Sequence, residues 1–119
     1  MGGWYNPLGL YASEELSGLP LEKFLVALAA EGVPYNRGLH PALHMHPLLN
    51  SADVYSDGKP TRLAFSSRDV RQPPESLPVT ESVEDSVFGV PAFKKDRPDD
   101  IERFAGAYRK VAMQAASLL

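Results

Sequence analysis

Eleven prolines and nine glycines, spread along a chain of 119 residues, cut it into short pieces. Proline fixes φ and removes a backbone donor, and glycine favours helix ends and turns. The fold therefore has to be assembled from short strands and a few helices between punctuation points, the last helix being the long one. A chain of this length holds one domain with a sizeable core, residues 1–119.

Periodicity places the pieces. "WYNPLGLYA" from Trp4 reads as a strand, and Pro7 inside it assigns it to a sheet edge or a bulge. Leu21, Phe24, Leu25, Leu28 and Ala29 recur at helical spacing after Pro20, which suits a first helical turn. Gly32 stands where a left-handed cap would end that helix. "VPYNRG" follows as a short strand. Residues 50–76 lose all periodicity, with turn signals at Asp57-Gly58, Lys59-Pro60 and Pro73-Pro74.

Beyond this irregular loop, Thr80 or Ser82 is expected to cap a short helix whose first turns hold Glu81, Glu84 and Asp85. "SVFGVPAF" reads as a buried strand. A final helix opens at "RPDDIERF", with Ile101, Phe104, Ala105, Tyr108, Ala112 and Ala115 as its expected apolar face. So few strands need helices over at least one face, which predicts a small two-layer α+β domain of about three strands.

Composition removes several function classes. Cysteine is absent, which excludes disulfides, thiolate ligands and a cysteine nucleophile. It is compatible with a reducing cytoplasm, the expected location. A net charge of −3, with basic and acidic residues interleaved, offers no concentrated basic face for nucleic acid. The longest apolar run, Phe24 to Ala30, falls far short of the roughly 20 residues that span a bilayer, so no membrane partner is expected. There is neither a Gly-x-Ser-x-Gly elbow nor a glycine-rich phosphate loop. Asp99-Asp100 stand where a helix start favours negative charge.

The remaining chemistry is concentrated in "HPALHMHPLL", where His40, His44 and His46, the chain's only histidines, lie within seven positions. Three readings stand open. In extended backbone His44 and His46 share a face and could line a pocket. Alternatively, loop histidines hydrogen-bond locally. A three-histidine metal site would need converging nitrogens and orienting carboxylates, and no acid lies between Glu31 and Asp53.

The order of segments adds a further indication. "YASEELSGLPLEKFLVALAAEGVP", "GLHPALHMHPLL", "LPVTESVEDSVFGVPAF" and "DDIERFAGAYRKV" together resemble the C-terminal small domain of DegT/StrS-type sugar aminotransferases, over residues 4–114. These are pyridoxal-phosphate (PLP) enzymes of the aspartate-aminotransferase fold. The resemblance implies a short antiparallel sheet with helices packed on it, closing over an active site built mainly by a larger domain. It places His44, in an "L-H-x-x-P" element, toward the substrate. His46 falls at a position that is often glutamine or another polar residue, and His40 at an aromatic or histidine position. Glu81 matches a recurring acid in an "LP-x-x-E" element.

None of the five lysines (Lys23, Lys59, Lys94, Lys95 and Lys110) lies in the context of the family's Schiff-base lysine. The isolated chain is therefore expected to hold no PLP and to be inactive. Its expected partner is a PLP-binding large domain, or itself as a homo-oligomer, with a sugar-type small molecule bound in the complete enzyme. The alternatives are a free-standing interaction module on the same fold and a histidine metal-binding domain.

Overall fold

The computed structural model describes residues 6–35, 40–61 and 63–119. It is a small α+β structure, with four helices and a two-stranded antiparallel sheet among those residues. The backbone falls into two compact units: residues 1–39 with 85–119, and residues 40–84.

In the first unit, β1 (Leu8–Leu10) pairs with β2 (Val87–Gly89), Leu8 opposite Gly89 and Leu10 opposite Val87. Two bonds extend the ladder: Val90 N–H donates to Pro7 O at 3.0 Å, and Tyr11 N–H donates to Ser86 O at 2.8 Å. Pro7 takes part only through its carbonyl, as an edge position requires. Gly9 lies opposite Phe88, whose buried ring covers it so closely that a Cβ there would meet ring carbons at 2.5 and 2.8 Å. Glycine is required by that approach.

A 3-10 turn at Ser13–Leu16 leads through Ser17 and Gly18, both at positive φ, to Leu19, which is wholly buried. The Tyr11 hydroxyl donates to Leu19 O at 2.6 Å and so ties the end of β1 to the start of the first helix. That helix, α1 (Leu21–Ala30), has extended Pro20 as its N-cap. Gly32 at φ 81° ends it: Gly32 N–H bonds Ala29 O and Val33 N–H bonds Leu28 O, a Schellman closure. Leu21, Phe24, Leu25 and Leu28 are buried as expected, but Ala29 is exposed. It lies about 100° around the helix from Leu28, and Val33, folded back beyond the cap, fills the place beside Leu28 instead.

The last helix, α4 (Pro98–Met113), begins at proline with Asp99 and Asp100 in its first turn. Arg97 and Arg103 both bond Asp100. The expected apolar face is corrected by rotation. Ala107, Val111 and Ala115 are buried, with Phe104 and Tyr108 partly buried, while Ile101 and Ala105 are exposed. Aromatic contacts set this rotation: the Tyr108 ring centroid lies 6.3 Å from that of Phe24 and 6.2 Å from that of Phe88. Phe24 in turn lies 5.0 Å from Tyr11. Each such pair contributes about 0.5–1.5 kcal/mol beyond area burial.

The sheet has two strands among the described residues, not about three. Val33–Tyr35 form no strand, because Val33 is committed to the helix closure; residues 36–38 of the expected strand lie outside the described residues, as do Trp4 and Tyr5.

The second unit contains a 3-10 turn (Leu43–Met45), α2 (Pro47–Asn50) and α3 (Pro78–Ser82). Between α2 and α3 the described residues hold neither helix nor strand, in keeping with the irregular run expected there. Side chains supply what backbone ladders do not. Asp53 accepts from Asp57 N–H and Gly58 N–H at 3.1 and 2.8 Å, and the Thr61 hydroxyl bonds Leu48 O at 2.7 Å. Glu84 accepts from Ala42 N–H at 2.7 Å.

Candidate functional site

Proline shapes the histidine segment. Pro47 opens α2, and the preceding residues form a 3-10 turn and not extended chain, so His44 and His46 do not alternate along one strand face. His46 is the N-cap of α2, its Nδ1 accepting from Leu48 N–H at 3.1 Å. This is the local hydrogen-bonding role. His40 is exposed. His44 differs from both: it is 5% exposed, the buried polar residue among those described.

His44 and Glu81 come together. The imidazole Nε2 lies 2.8 Å from Glu81 Oε1. Glu81 also accepts from Glu75 N–H at 2.9 Å and from Leu77 N–H at 3.2 Å. These contacts also correct the expected cap of α3. Leu77 is its N-cap with no side-chain bond, Pro78 occupies the first helical position, and Thr80 and Ser82 lie inside the helix. The carboxylate of Glu81 folds back to satisfy the free donors at the helix start, much as the acid of a capping box does. The Glu75 N–H, followed by the His44 imidazole, holds the Glu81 carboxyl below its ordinary value of 4.5. An ionised carboxylate accepts only, so His44 donates through Nε2–H; Nδ1 is a lone-pair acceptor in the neutral ring and a second donor in the imidazolium.

Asn50, at the end of α2, faces the same region. Its Nδ2 donates to His44 O at 2.5 Å and to His46 O at 3.3 Å. Two carbonyl partners define the amide orientation and leave Oδ1 as an acceptor. Both His44 Nδ1 and Asn50 Oδ1 are buried without a hydrogen-bond partner.

These two residues line an open cavity of about 490 Å³, together with Met45, Arg71, Pro73 and Pro74. The Arg71 guanidinium grips Asp69 through Nε and Nη2, the latter at 2.8 Å, and bonds Asn50 O at 3.3 Å. Its hydrogen bonds lower the Asp69 carboxyl to about 2. No lysine among the described residues lines the cavity. Among the described residues no three His, Cys, Asp or Glu side chains stand together as a metal cage.

Sequence reasoning named His44 and Glu81 but missed Asn50, Asp69 and Arg71. Asp69-x-Arg71 lay in a stretch read only as irregular, and the two-residue spacing of an acid and a base was its one signal. Asn50 carried none beyond its place at a helix end.

No protein-family model, curated protein or solved structure matches the chain. Among the described residues no helix is long and apolar enough to cross a membrane.

Proposed function

We propose that this chain is the C-terminal small domain, or a fragment, of a PLP-dependent sugar or cyclitol aminotransferase of the DegT/StrS type, contributing one wall of a substrate pocket. The observation that carries this reading is the 2.8 Å contact between His44 and Glu81. The two residues come from separate motifs of the resemblance, "LHMHPLL" and "LPVTES", and meet beside an open cavity. The Schiff-base lysine, the acid at the pyridine nitrogen and the phosphate anchors belong to the large domain, and the isolated chain is inactive. Reading the DNA flanking the codon for Met1 tests this. A PLP-lysine domain encoded in frame or by a neighbouring gene is expected, and its absence from both places refutes the reading.

A second reading, a free-standing interaction module, is favoured by exposed apolar side chains in the second unit. Phe65 is 85% exposed, Val79 78% and Leu43 68%. Exposed apolar residues mark an interaction surface where they join into one contiguous patch. Sedimentation across a dilution series is expected to show self-association under this reading, and a monomer that binds no partner eliminates it.

A further inference from the structure

We infer that the outer edge of β1 pairs with β1 of a second copy of this chain, antiparallel and about a two-fold axis at Gly9, joining two two-stranded sheets into one of four strands.

The register of the ladder decides which backbone groups are available. Pro7 stands opposite Val90, Gly9 opposite Phe88 and Tyr11 opposite Ser86, and the bonds at the first and last of these mark all three as bonded positions. Bonded and non-bonded positions alternate in an antiparallel ladder, so Leu8 and Leu10 turn their N–H and C=O groups away from β2. No described residue bonds these groups. Leu10 is 88% exposed and Leu8 46%, whereas Val87, Phe88 and Gly89 of β2 are all buried. The open edge is therefore that of β1.

Proteins guard such edges with charges, prolines or bulges. β1 has no charged residue and its register has no bulge. Its neighbour Pro7 lacks a donor only on the side facing Val90, so it leaves the outer edge unguarded.

The edge is self-complementary. An axis at Gly9 sets Leu8 of each copy opposite Leu10 of the other, and each of these pairs exchanges two N–H···O bonds. Leu8 and Leu10 lie two positions apart and share a face, so the exposed leucines cover one another across the junction. At the axis glycine meets glycine, with no side chain between. The charges agree with this direction. Exposed Glu14 and Glu15 follow the Tyr11 end of β1, while exposed Lys94 and Lys95 follow the groove that Phe93 forms with Pro7 and Leu8 at its other end. Antiparallel pairing brings the acidic end of each copy to the basic end of the other. A two-fold contact of this kind closes at the dimer.

This surface lies in the first unit and stands apart from both readings above. Sedimentation of the purified chain across a dilution series is expected to show a monomer–dimer equilibrium, and amide hydrogen exchange identifies the contact. Leu8 and Leu10 N–H should slow on concentration, about twofold where half of the chains are paired, while Gly9 N–H stays protected throughout. Leu8→Lys combined with Leu10→Lys sets like charges opposite each other twice and should weaken association about tenfold. Leu8→Glu combined with Leu10→Lys sets acid opposite base at both positions in this register, and should associate more tightly than the double lysine variant. The wild-type exchange result decides alone if a variant does not fold. A chain that stays monomeric, even one whose edge takes up an extended peptide, overturns the inference. So do Leu8 and Leu10 amides unprotected in the dimer or already protected in the monomer, and so does equal association of the two variants.

Discussion

Replacing Asn50 by leucine tests the orphaned acceptors through stability alone. The substitution removes the Nδ2 donor. The His46 carbonyl keeps the Leu49 and Asn50 backbone N–H groups as partners, at 3.0 and 3.2 Å. The His44 carbonyl loses the bond at 2.5 Å from Asn50. An unpaired buried acceptor costs about 1–3 kcal/mol, and the variant creates one at His44 O while abolishing another at Asn50 Oδ1. These two terms offset each other. What remains is the hydrogen bond itself, about 0.5–1.5 kcal/mol. The Met45 and His46 amides, which donate to Ala42 O and Leu43 O in the 3-10 turn, report local opening. Their hydrogen exchange should accelerate about two- to thirteenfold in Asn50→Leu, the same energy expressed as an opening ratio. An acceleration of a hundredfold or more would mean that Oδ1 has a partner after all, so that the substitution removes two bonds.

Three further expectations concern the rest of the fold. Tyr11→Phe leaves the buried Leu19 carbonyl without its 2.6 Å donor and should lower the urea unfolding free energy by about 1–3 kcal/mol. Tyr108→Phe removes a buried hydroxyl that has no partner, so the same urea series should show it unchanged or slightly more stable. Gly9→Ala drives a Cβ into the Phe88 ring and should cost about 1–3 kcal/mol by overpacking, measured as a fall in thermal midpoint. The pH dependence follows from the carboxyls. The Glu81 carboxyl is depressed in the folded chain, so its contribution is complete above the ordinary value of 4.5 and is lost as pH falls through the lower folded value. Carboxyl carbon-13 titration should place Glu81 below 4.5 and Asp69 at about 2. Arg71→Ala should return Asp69 toward its ordinary 3.8 while leaving Glu81 in place.

Local rules carried much of this structure. Pro20 and Gly32 mark the limits of α1, although Pro20 stands just before the first turn as an extended N-cap and not within it. The opening of α4 at Pro98 follows in the same way. What local rules could not supply was rotation and partnership. The apolar positions of α4 admit more than one face, and only the ring contacts among Phe24, Phe88 and Tyr108 select the one containing Ala107 and Val111. Val33 suits a strand by propensity, yet its N–H is taken by Leu28 O. At the site, His44 and Glu81 were legible as polar residues in distinctive contexts, but their contact spans 37 positions and no spacing rule reaches that far. Asn50 and Arg71 became visible only once the irregular segment had a path.

The first unit is written in two instalments, with residues 40–84 between them. During synthesis, Phe24, Leu25 and Leu28 leave the ribosome well before Phe88, Ala107 and Val111, the residues that later share their core. The nascent α1 therefore carries an uncovered greasy stripe until residues 88–111 have been translated. The pairing of β1 with β2 likewise waits until the second instalment has been made, a contact of high sequence separation that forms late for the same reason.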